Sequence, residues 1–273
     1  MSGGLDAARE MAELIANASF RQYAKTFIKI ENELGEVVPL DLNEAQDIVY
    51  EEIERQRLAA RPIRLLILKG RQQGMSTFCQ AYIAWKALTH PGARCLTVGH
   101  QLPAVHELFG KFDRIIKELP VIPEIGLAKP EVEDREKGRR IRFAGPLRSQ
   151  YRADSAQEPE SVGRGMTIQY AHLTEVPQWA KADETMQAVL ATVPDHPNTI
   201  VLVETTAKGA TGWFYETWMK AIRAMERGEE PEFVPVFVPW FKTQRYQRKR
   251  RPGEPGLDVA ETRFRDKYNL TNE

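Results

Sequence analysis

Residues 63–77 read IRLLILKGRQQGMST, and this stretch decides the fold. The run at 63–68 is apolar apart from Arg64, with Pro62 before it and a glycine turn after it. A short apolar run bounded in this way favours a buried strand over a helix. From Thr77 onward, apolar residues recur at helical spacing. A buried strand, a glycine turn and a helix in direct succession predict one unit of an α/β sheet.

The sequence on either side of this unit continues the alternation. Apolar residues at helical spacing predict helices at 5–34, 43–57, 77–89, 103–119, 183–191 and 213–225. Short apolar runs predict strands at 63–68, 94–99, 140–144, 166–173 and 199–204. Residues 234–238 are expected to form an edge strand, because Pro235 and Pro239 suit an edge position. Alternating strands and helices imply right-handed crossovers, so we predict an α/β fold with a mostly parallel sheet flanked by helices.

The composition excludes several classes of protein. Of the 273 residues, 42% are hydrophobic and 28% are charged, which excludes a disordered or collagen-like chain. The only cysteines are Cys79 and Cys95, so a disulfide scaffold is excluded and a reducing compartment is favoured. The longest apolar run, 233–241, is too short to cross a bilayer, and acidic residues stand where a signal peptide would be basic. We expect a cytoplasmic protein that has no membrane partner.

The charges of the chain balance. Lys and Arg together number 38, as do Asp and Glu, so the formal net charge is zero. A nucleic-acid partner is still compatible with this balance, because the local distribution of charge matters more than the total. Basic residues cluster at 135–142 and again at 245–251. Each run is either solvated surface or a contact to phosphates.

The turn after the strand at 63–68 has the order of a phosphate-binding loop. Gly70, Gly74 and Ser76 come in succession before the helix, and the backbone N–H groups of such a turn surround phosphates together with the helix N-terminus. The Ser76 hydroxyl would ligate Mg²⁺. An ordinary glycine turn of an α/β protein is the alternative. The candidate contacts to the bound phosphates are Lys69, Gly70, Arg71, Gln72, Gln73, Gly74, Met75, Ser76 and Thr77.

The loop at 70–77 lacks a lysine at the position where phosphate-binding loops usually have one. Met75 stands where a phosphate-binding loop normally carries lysine. Phosphates still need a positive charge, and Arg71 lies inside the loop with Lys69 two residues before it. We expect one of these two side chains to reach over the phosphates from the leading edge of the loop.

A carboxylate follows the predicted strand at 166–173. Glu175 lies at its C-terminal tip, where open α/β sheets bind ligands. Thr174 occupies the place where an Asp commonly precedes the Glu, so the pair has one acid only. A lone Glu fits the role of polarising the attacking water, while Thr174 would contact the Mg²⁺ shell through water. The alternative is a surface Glu after a strand, with Glu204 the next candidate for the catalytic role.

Four segments, in this order, resemble one known family. They are GRQQGMST at 70–77, HLTEVPQW at 172–179, ETTAKGATGWFYETW at 204–218 and FVPWF at 237–241. They resemble the large terminase subunits of tailed bacteriophages, specifically the N-terminal packaging ATPase domain, over about residues 35–245. The resemblance implies a P-loop NTPase of the additional-strand, catalytic-glutamate class that hydrolyses ATP with Mg²⁺.

The resemblance also assigns roles to residues. It maps the family's catalytic glutamate onto Glu175 and the coupling motif onto Thr205, Thr206 and Ala207. The hydroxyls of the two threonines would lie close to the terminal phosphate and sense it. The alternative for these threonines is a simple turn. The family often carries the basic residue of its loop near the start, which supports Arg71.

Two further assignments come from the resemblance. Gln46 corresponds to an upstream glutamine that reads the adenine edge, for which an amide is suited because it both donates and accepts; a polar residue at a helix N-terminus is the alternative. Arg164 corresponds to an arginine offered to the nucleotide of a neighbouring subunit, a group that phosphoryl transfer commonly uses. Arg152 is its nearest competitor.

The resemblance further implies an organisation and a set of partners. It divides the chain into a helical segment at 1–34, the ATPase core at 35–241 and a linker or lid at 242–273 that leads to a nuclease domain outside this chain; we therefore expect no nuclease activity. The implied function is an ATP-hydrolysing motor that moves double-stranded DNA into a procapsid. Its partners would be the DNA, the small terminase subunit and the portal protein, in the host cytoplasm and transiently at the portal.

The resemblance also implies a homo-oligomeric ring, with a monomer when the chain is alone. Two alternatives for the function remain. One is another DNA-remodelling or helicase-like ATPase, and the other is a nucleotide-binding assembly module without hydrolysis, which Met75 and Thr174 motivate.

Overall fold

The computed structural model describes residues 19–123, 128–243, 246, 251 and 253–270. The helices in these ranges are α1 (Phe20–Phe27), α2 (Glu44–Leu58), α3 (Met75–Thr89), α4 (Leu102–Lys117), α5 (Ala182–Ala191), α6 (Gly212–Glu226) and α7 (Val259–Tyr268). The strands are β1 (Lys29–Glu31), β2 (Val37–Pro39), β3 (Ile63–Lys69), β4 (Arg94–Gly99), β5 (Val132–Glu136), β6 (Arg140–Phe143), β7 (Gln150–Ser155), β8 (Tyr170–Thr174), β9 (Ile200–Thr205) and β10 (Val234–Val238).

Eight strands form one sheet in the order β10-β3-β9-β8-β4-β7-β6-β5. The strands from β10 to β7 are parallel to their neighbours, whereas β6 and β5 run antiparallel at the far edge. The predicted mostly parallel sheet is therefore confirmed, as is the edge position of β10. Strand β9 lies between β3, which leads into the glycine loop, and β8, which ends before Glu175. This inserted strand is the feature that the additional-strand class requires.

The two faces of the sheet are each covered by helices. Leu65 and Ile67 pack into a core that includes residues of α1 to α4, while Leu66 packs on the opposite face with residues of α5 and α6. Successive residues of a strand point to opposite faces, and a strand buried on both faces is apolar throughout. Burial on both faces of the sheet therefore explains why residues 65–68 are all apolar.

The chain after α1 departs from the predicted helix over 5–34, of which residues 5–18 lie outside the described part. Helix α1 ends at Phe27, and the next residues form the hairpin β1–β2. The turn is built by Asn32, whose side-chain oxygen accepts hydrogen bonds from the N–H groups of Leu34 and Glu36, and by Gly35 at φ +79°. Hydrogen bonds from a side chain to the nearby backbone compete with the helix, and here they stabilise the hairpin turn instead.

The far edge of the sheet contains two strands that the hydrophobic pattern did not predict, β5 and β7. Strand β7 carries Gln150, Arg152 and Asp154 among its six residues, although it pairs along its length with the central strand β4. The strand predictions depended on apolar runs, and β7 has polar residues with hydrogen-bond partners inside the protein instead of such a run. The predicted strand at 166–173 starts only at Tyr170.

The last described helix, α7, packs on the segment after β10. The rings of Phe264 and Tyr268 contact those of Trp240 and Phe241, with centroids 4.9 to 6.2 Å apart between the two groups. Most of the basic run at 245–251 lies outside the described residues. Within the described part of the chain, every helix is too short or too polar to span a lipid bilayer.

Candidate active site

The carboxyl ends of three neighbouring strands bring the predicted site residues together. Strand β3 ends at Lys69, β8 at Thr174 and β9 at Thr205. In the register of the sheet, Thr174 lies beside Glu204, and Leu68 lies beside Thr205. Parallel strands end at the same edge of a sheet, which is where open α/β folds bind ligands.

The glycine loop leads directly into α3. Gly74 is the N-cap of this helix and has φ +71°, in the left-handed region. A Cβ atom at this position would lie 2.8 Å from the amide nitrogen of Gln46, so a larger residue would also displace that side chain. Met75 is buried at the first position of the helix. It contributes packing at the place where the usual lysine would stand.

Lys69 is the cation that the structure places among the carboxylates. Its Nζ atom lies 3.2 Å from Oε2 of Glu204 and 3.7 Å from Oε1 of Glu175, and its side chain is 10% exposed. Burial alone would lower the pKa of Lys69, but the two carboxylates outweigh burial and the pKa is raised. Arg71, by contrast, is exposed at the tip of the loop. The two alternatives left open by the sequence therefore occupy different places.

Glu204, at the end of β9, is fully buried. Its Oε1 atom accepts hydrogen bonds from the hydroxyls of Ser76 and Thr174, each at 2.7 Å, and lies 3.4 Å from Nε2 of His172. Burial raises the pKa of this carboxyl, but the nearby His172 and Lys69 and the hydrogen bonds outweigh it and hold the pKa well below its usual range. Glu204 is thus an ionised group at the centre of the site.

From the sequence alone, Glu204 is only the next candidate after Glu175 for the catalytic role. The available signal was a charged residue directly after the apolar run IVLV at 200–203. A fully buried acid at the end of a central strand requires partners, and their presence points to function.

Glu175 has a strained backbone and a partly exposed side chain. Its φ and ψ are 54° and 38°, a left-handed conformation that is uncommon for residues other than glycine and that clusters at functional sites. One carboxylate oxygen accepts hydrogen bonds from Thr205 Oγ1 at 3.0 Å and Gln178 Nε2 at 3.1 Å. The side chain is 18% exposed, so it remains reachable from solvent.

The predicted coupling residues differ in their surroundings. The hydroxyl of the buried Thr205 lies within hydrogen-bond distance of Oε2 of Glu175, at 3.0 Å, and of the carbonyl of Thr206, at 2.9 Å. Thr206 is partly buried and Ala207 is exposed. Only Thr205 of the three is therefore joined directly to the candidate catalytic group. The coupling role itself stays a prediction.

Gln46 braces the loop from the start of α2. Its amide nitrogen donates to the carbonyl of Gly74 at 2.9 Å, and its amide oxygen accepts from the N–H of Asn43 at 3.0 Å. The Asn43 side chain donates in turn to the carbonyl of Gln73 at 3.3 Å. Both polar atoms of the buried Gln46 are thus engaged by the protein, and the predicted contact to adenine stays a prediction.

Gln73 connects the loop to the segment after β10. Its amide oxygen accepts from the N–H of Gly70 at 2.7 Å, and its amide nitrogen donates to the carbonyl of Pro239 at 3.0 Å and the hydroxyl of Thr243 at 2.8 Å. The Tyr246 hydroxyl also donates to the carbonyl of Arg71. The loop is therefore held from the side of β10 as well as from α2.

The two candidate arginine fingers are in different situations. Arg152 donates to Asp154 at 2.7 Å and to the carbonyl of Ser161 at 2.8 Å, and its side chain is 16% exposed. Asp154 also accepts from the N–H of Gly163 at 3.0 Å. Arg152 thus holds the loop that carries Arg164, and Arg164 itself is exposed. The position of Arg164 suits a contact to another molecule, which stays a prediction.

The basic run at 135–142 lies on the β5–β6 hairpin and is largely paired with acids. Arg135 contacts Asp113, Arg140 lies 2.7 Å from Asp134, and Arg139 lies 3.7 Å from Glu136. A run that reads as strongly positive in the sequence therefore presents much less net charge on the surface.

Comparison with solved structures identifies relatives in fold. The large terminase of bacteriophage HK97 matches with a TM-score of 0.58 and 16% identity over 80% of this chain and 43% of that protein. The large terminase of the thermophilic bacteriophage D6E matches with a TM-score of 0.53 and 10% identity over 83% and 50% of the two chains.

A structure of the D6E protein in complex with ADP matches with a TM-score of 0.50 and 12% identity over 76% of this chain and 48% of that one. This chain thus spans about half the length of these terminases. No protein-family model matches the sequence, and a search of curated proteins also gives no match. The similarity establishes a shared fold, that of large terminase ATPase domains.

Proposed function

We propose that this protein binds ATP at residues 69–77 and hydrolyses it. The observation that carries the proposal is the convergence of a glycine loop, a buried lysine and two carboxylates at the carboxyl edge of one parallel sheet. The Nζ atom of Lys69 lies within ion-pair distance of both carboxylates, 3.7 Å from Glu175 and 3.2 Å from Glu204. The fold shared with terminase ATPase domains supports the same conclusion.

The residues of the site fit a nucleotide-bound Mg²⁺. Two hydroxyls, those of Ser76 and Thr174, converge on one buried carboxylate oxygen of Glu204, and the other oxygen faces the ammonium group of Lys69 at 3.2 Å. Oxygen ligands of this type are those that Mg²⁺ prefers. Within the described ranges no three His, Cys, Asp or Glu side chains form a metal cage, so the ion would arrive with the nucleotide. Bound there, Mg²⁺ would neutralise part of the phosphate charge.

The roles of the side chains follow from their positions. Glu175 accepts a proton from the attacking water as the water oxygen bonds to the γ-phosphorus and the bond from that phosphorus to the β–γ bridging oxygen breaks. The Thr205 hydroxyl contacts one carboxylate oxygen of Glu175, and the other carboxylate oxygen faces Lys69. Lys69 provides positive charge for the phosphates, the role that lysine has in the usual loop.

The variant Glu175→Gln tests the proposal. The amide keeps the size of the side chain but cannot take the proton, so phosphate release should fall about a hundredfold or more while ATP affinity stays within a few-fold. Glu216→Gln, an exposed position on α6, is the matched control and should behave as wild type. A wild-type protein that binds ATP without releasing phosphate would favour the assembly-module alternative.

We further propose that ATP hydrolysis drives movement of double-stranded DNA in a genome-packaging terminase. The four sequence segments and the shared fold support this assignment, which also implies the small terminase subunit, the portal protein of a procapsid and a ring of copies as partners in the host cytoplasm. A DNA-remodelling ATPase is the alternative.

Duplex binding as a function of salt tests the DNA proposal. A motor that slides along DNA contacts phosphates, so binding should be independent of base sequence and weaken steeply as salt rises, and DNA should stimulate phosphate release. Replacing Arg135 and Arg140 with Gln should change this binding little, because acids already pair with both. Salt-insensitive binding of one base sequence would contradict translocation.

A further inference from the structure

Thr174, on β8, occupies the position where an Asp commonly precedes the catalytic Glu. Its neighbour on the adjacent strand β9 is Glu204. The two residues are register partners, and the Thr174 hydroxyl donates to Oε1 of Glu204 at 2.7 Å. The Ser76 hydroxyl donates to the same oxygen at the same distance. One carboxylate, from the inserted strand, therefore joins the hydroxyls of Ser76 and Thr174.

We propose that Glu204 is the positioning residue for nucleotide-bound Mg²⁺, in place of an acid at position 174. This inference rests on the proposed function. Glu204 orients the Ser76 hydroxyl so that its oxygen lone pairs face the ligand, and it supplies the negative charge that Thr174 lacks. Thr174 keeps the carboxylate in place by donating its own hydroxyl to it.

The cost of burying Glu204 argues that the group does more than stabilise the fold. Its side chain has no exposed surface, and isolated buried ion pairs are often less favourable than apolar residues of similar volume. The surroundings are nevertheless arranged around the charge, with Ser76, Thr174, His172 and Lys69 all within 3.4 Å of its two oxygens. A residue of β9 that served packing alone would be apolar, like Leu202 and Val203 before it.

The position of Ser76 connects this cluster to the ligand. Ser76 lies in the first turn of α3, where the helix N-terminus and the loop N–H groups attract phosphate. Groups that orient a metal-ligating oxygen typically contribute a factor of about 10 to 100 in metal affinity. Loss of the Glu204 charge should therefore appear in the Mg²⁺ dependence of nucleotide binding, separately from turnover.

The test compares ADP binding with and without Mg²⁺ in the wild type, Glu204→Gln, Thr174→Asp and the double variant. In Glu204→Gln, the Mg²⁺ concentration for half-maximal enhancement of binding should rise about 10- to 100-fold. The double variant Thr174→Asp/Glu204→Gln returns a carboxylate to the neighbouring strand and should restore most of the enhancement. A merely structural role would change the melting temperature but not the Mg²⁺ dependence.

Two results would overturn the inference. One is a folded Glu204→Gln protein with the Mg²⁺ dependence of the wild type, and the other is a folded double variant that recovers none of it. If Glu204→Gln fails to fold, Glu204→Asp keeps the charge but withdraws it by one methylene from Ser76, and it should show the same weakened dependence. A wild-type protein that binds no nucleotide would instead refute the proposed function, so the two failures are distinguishable.

Discussion

Two buried lysines lie near opposite ends of helix α3, and they differ in what surrounds them. Lys69 comes before the first turn of the helix and faces the carboxylates of Glu175 and Glu204. Lys86 lies in the last turn, 4.3 Å from the ring centroid of Trp85 and 5.7 Å from that of Tyr170, with Nε2 of His90 at 3.2 Å. Both side chains are about nine-tenths removed from solvent.

The pKa values of the two ammonium groups shift in opposite directions. Burial lowers the pKa of Lys86 to about 8, whereas the carboxylates beside Lys69 outweigh burial and raise its pKa. Aromatic rings attract a cation through their quadrupole but do not replace a full negative charge. The surroundings of Lys69 therefore stabilise its charged form, whereas burial destabilises the charged form of Lys86, which is a packing residue.

The largest effect is expected from Lys69→Met. It removes the cation of the site, so phosphate release should fall at least about a hundredfold. It also leaves Glu204 without its ion-pair partner, which should cost about 3–5 kcal/mol in the free energy of unfolding measured with urea. Arg71→Met is the comparison within the same loop. A greater loss of turnover for Arg71→Met would assign the loop cation to Arg71 and remove the distinction between the two lysines.

A smaller effect is expected from Lys86→Met, and it depends on pH. The folded pKa of Lys86, about 8, lies below the ordinary value of 10.5, so between these values the unfolded state binds more protons and wild-type stability rises with pH. The rise is at most about 1.4 kcal/mol per pH unit. The free energy of unfolding of the wild type minus that of Lys86→Met should therefore increase between pH 8 and 10.5 and stay flat below pH 8. A flat difference throughout would show that Lys86 is not perturbed by burial.

The smallest effect is expected from Thr205→Val, which removes the hydroxyl that holds Glu175. A hydrogen bond to a charged group contributes about 1.5–3 kcal/mol, and the low end is expected here because Glu175 is partly exposed and the Thr205 hydroxyl also lies near the carbonyl of Thr206. Turnover should therefore fall about tenfold, with ADP affinity nearly unchanged. Thr89→Val is the matched control at the Lys86 end, where the hydroxyl donates to the carbonyl of Trp85 at 2.7 Å. Equal turnover losses for the two variants would indicate a general effect on the fold.

The fold was predictable where burial imposes an apolar pattern. Strands β3, β4 and β9 follow from their apolar runs, since they are covered on both faces. Strand β7 was not predicted, because the carboxylate of Asp154 is satisfied by the N–H of Gly163, a tertiary contact that no local pattern contains. The hairpin after Phe27 was missed because the Asn32 turn overrides a helical spacing that Ile30 happens to continue.

The candidate site was predictable where function lies in a contiguous segment. Glu175 and Ser76 follow from their places after strands. The role of Glu204 depends on strand order, because only the insertion of β9 between β3 and β8 brings this residue beside Ser76 and Thr174. The choice between Lys69 and Arg71 depends on the direction of each side chain at the strand end, which spacing along the chain does not determine.

The hydrogen bonds of Gln73 have a practical consequence. This one side chain joins Gly70 of the loop to Pro239 and Thr243 in the segment after β10. A ligand that moves the loop must therefore either move residues 239–243 with it or break these hydrogen bonds. Trp240 lies within that segment, 49% exposed, with its ring parallel to that of Phe264. A movement of the loop that carries this segment along would therefore change the surroundings of the Trp240 indole, and its intrinsic fluorescence would report the movement without an attached dye.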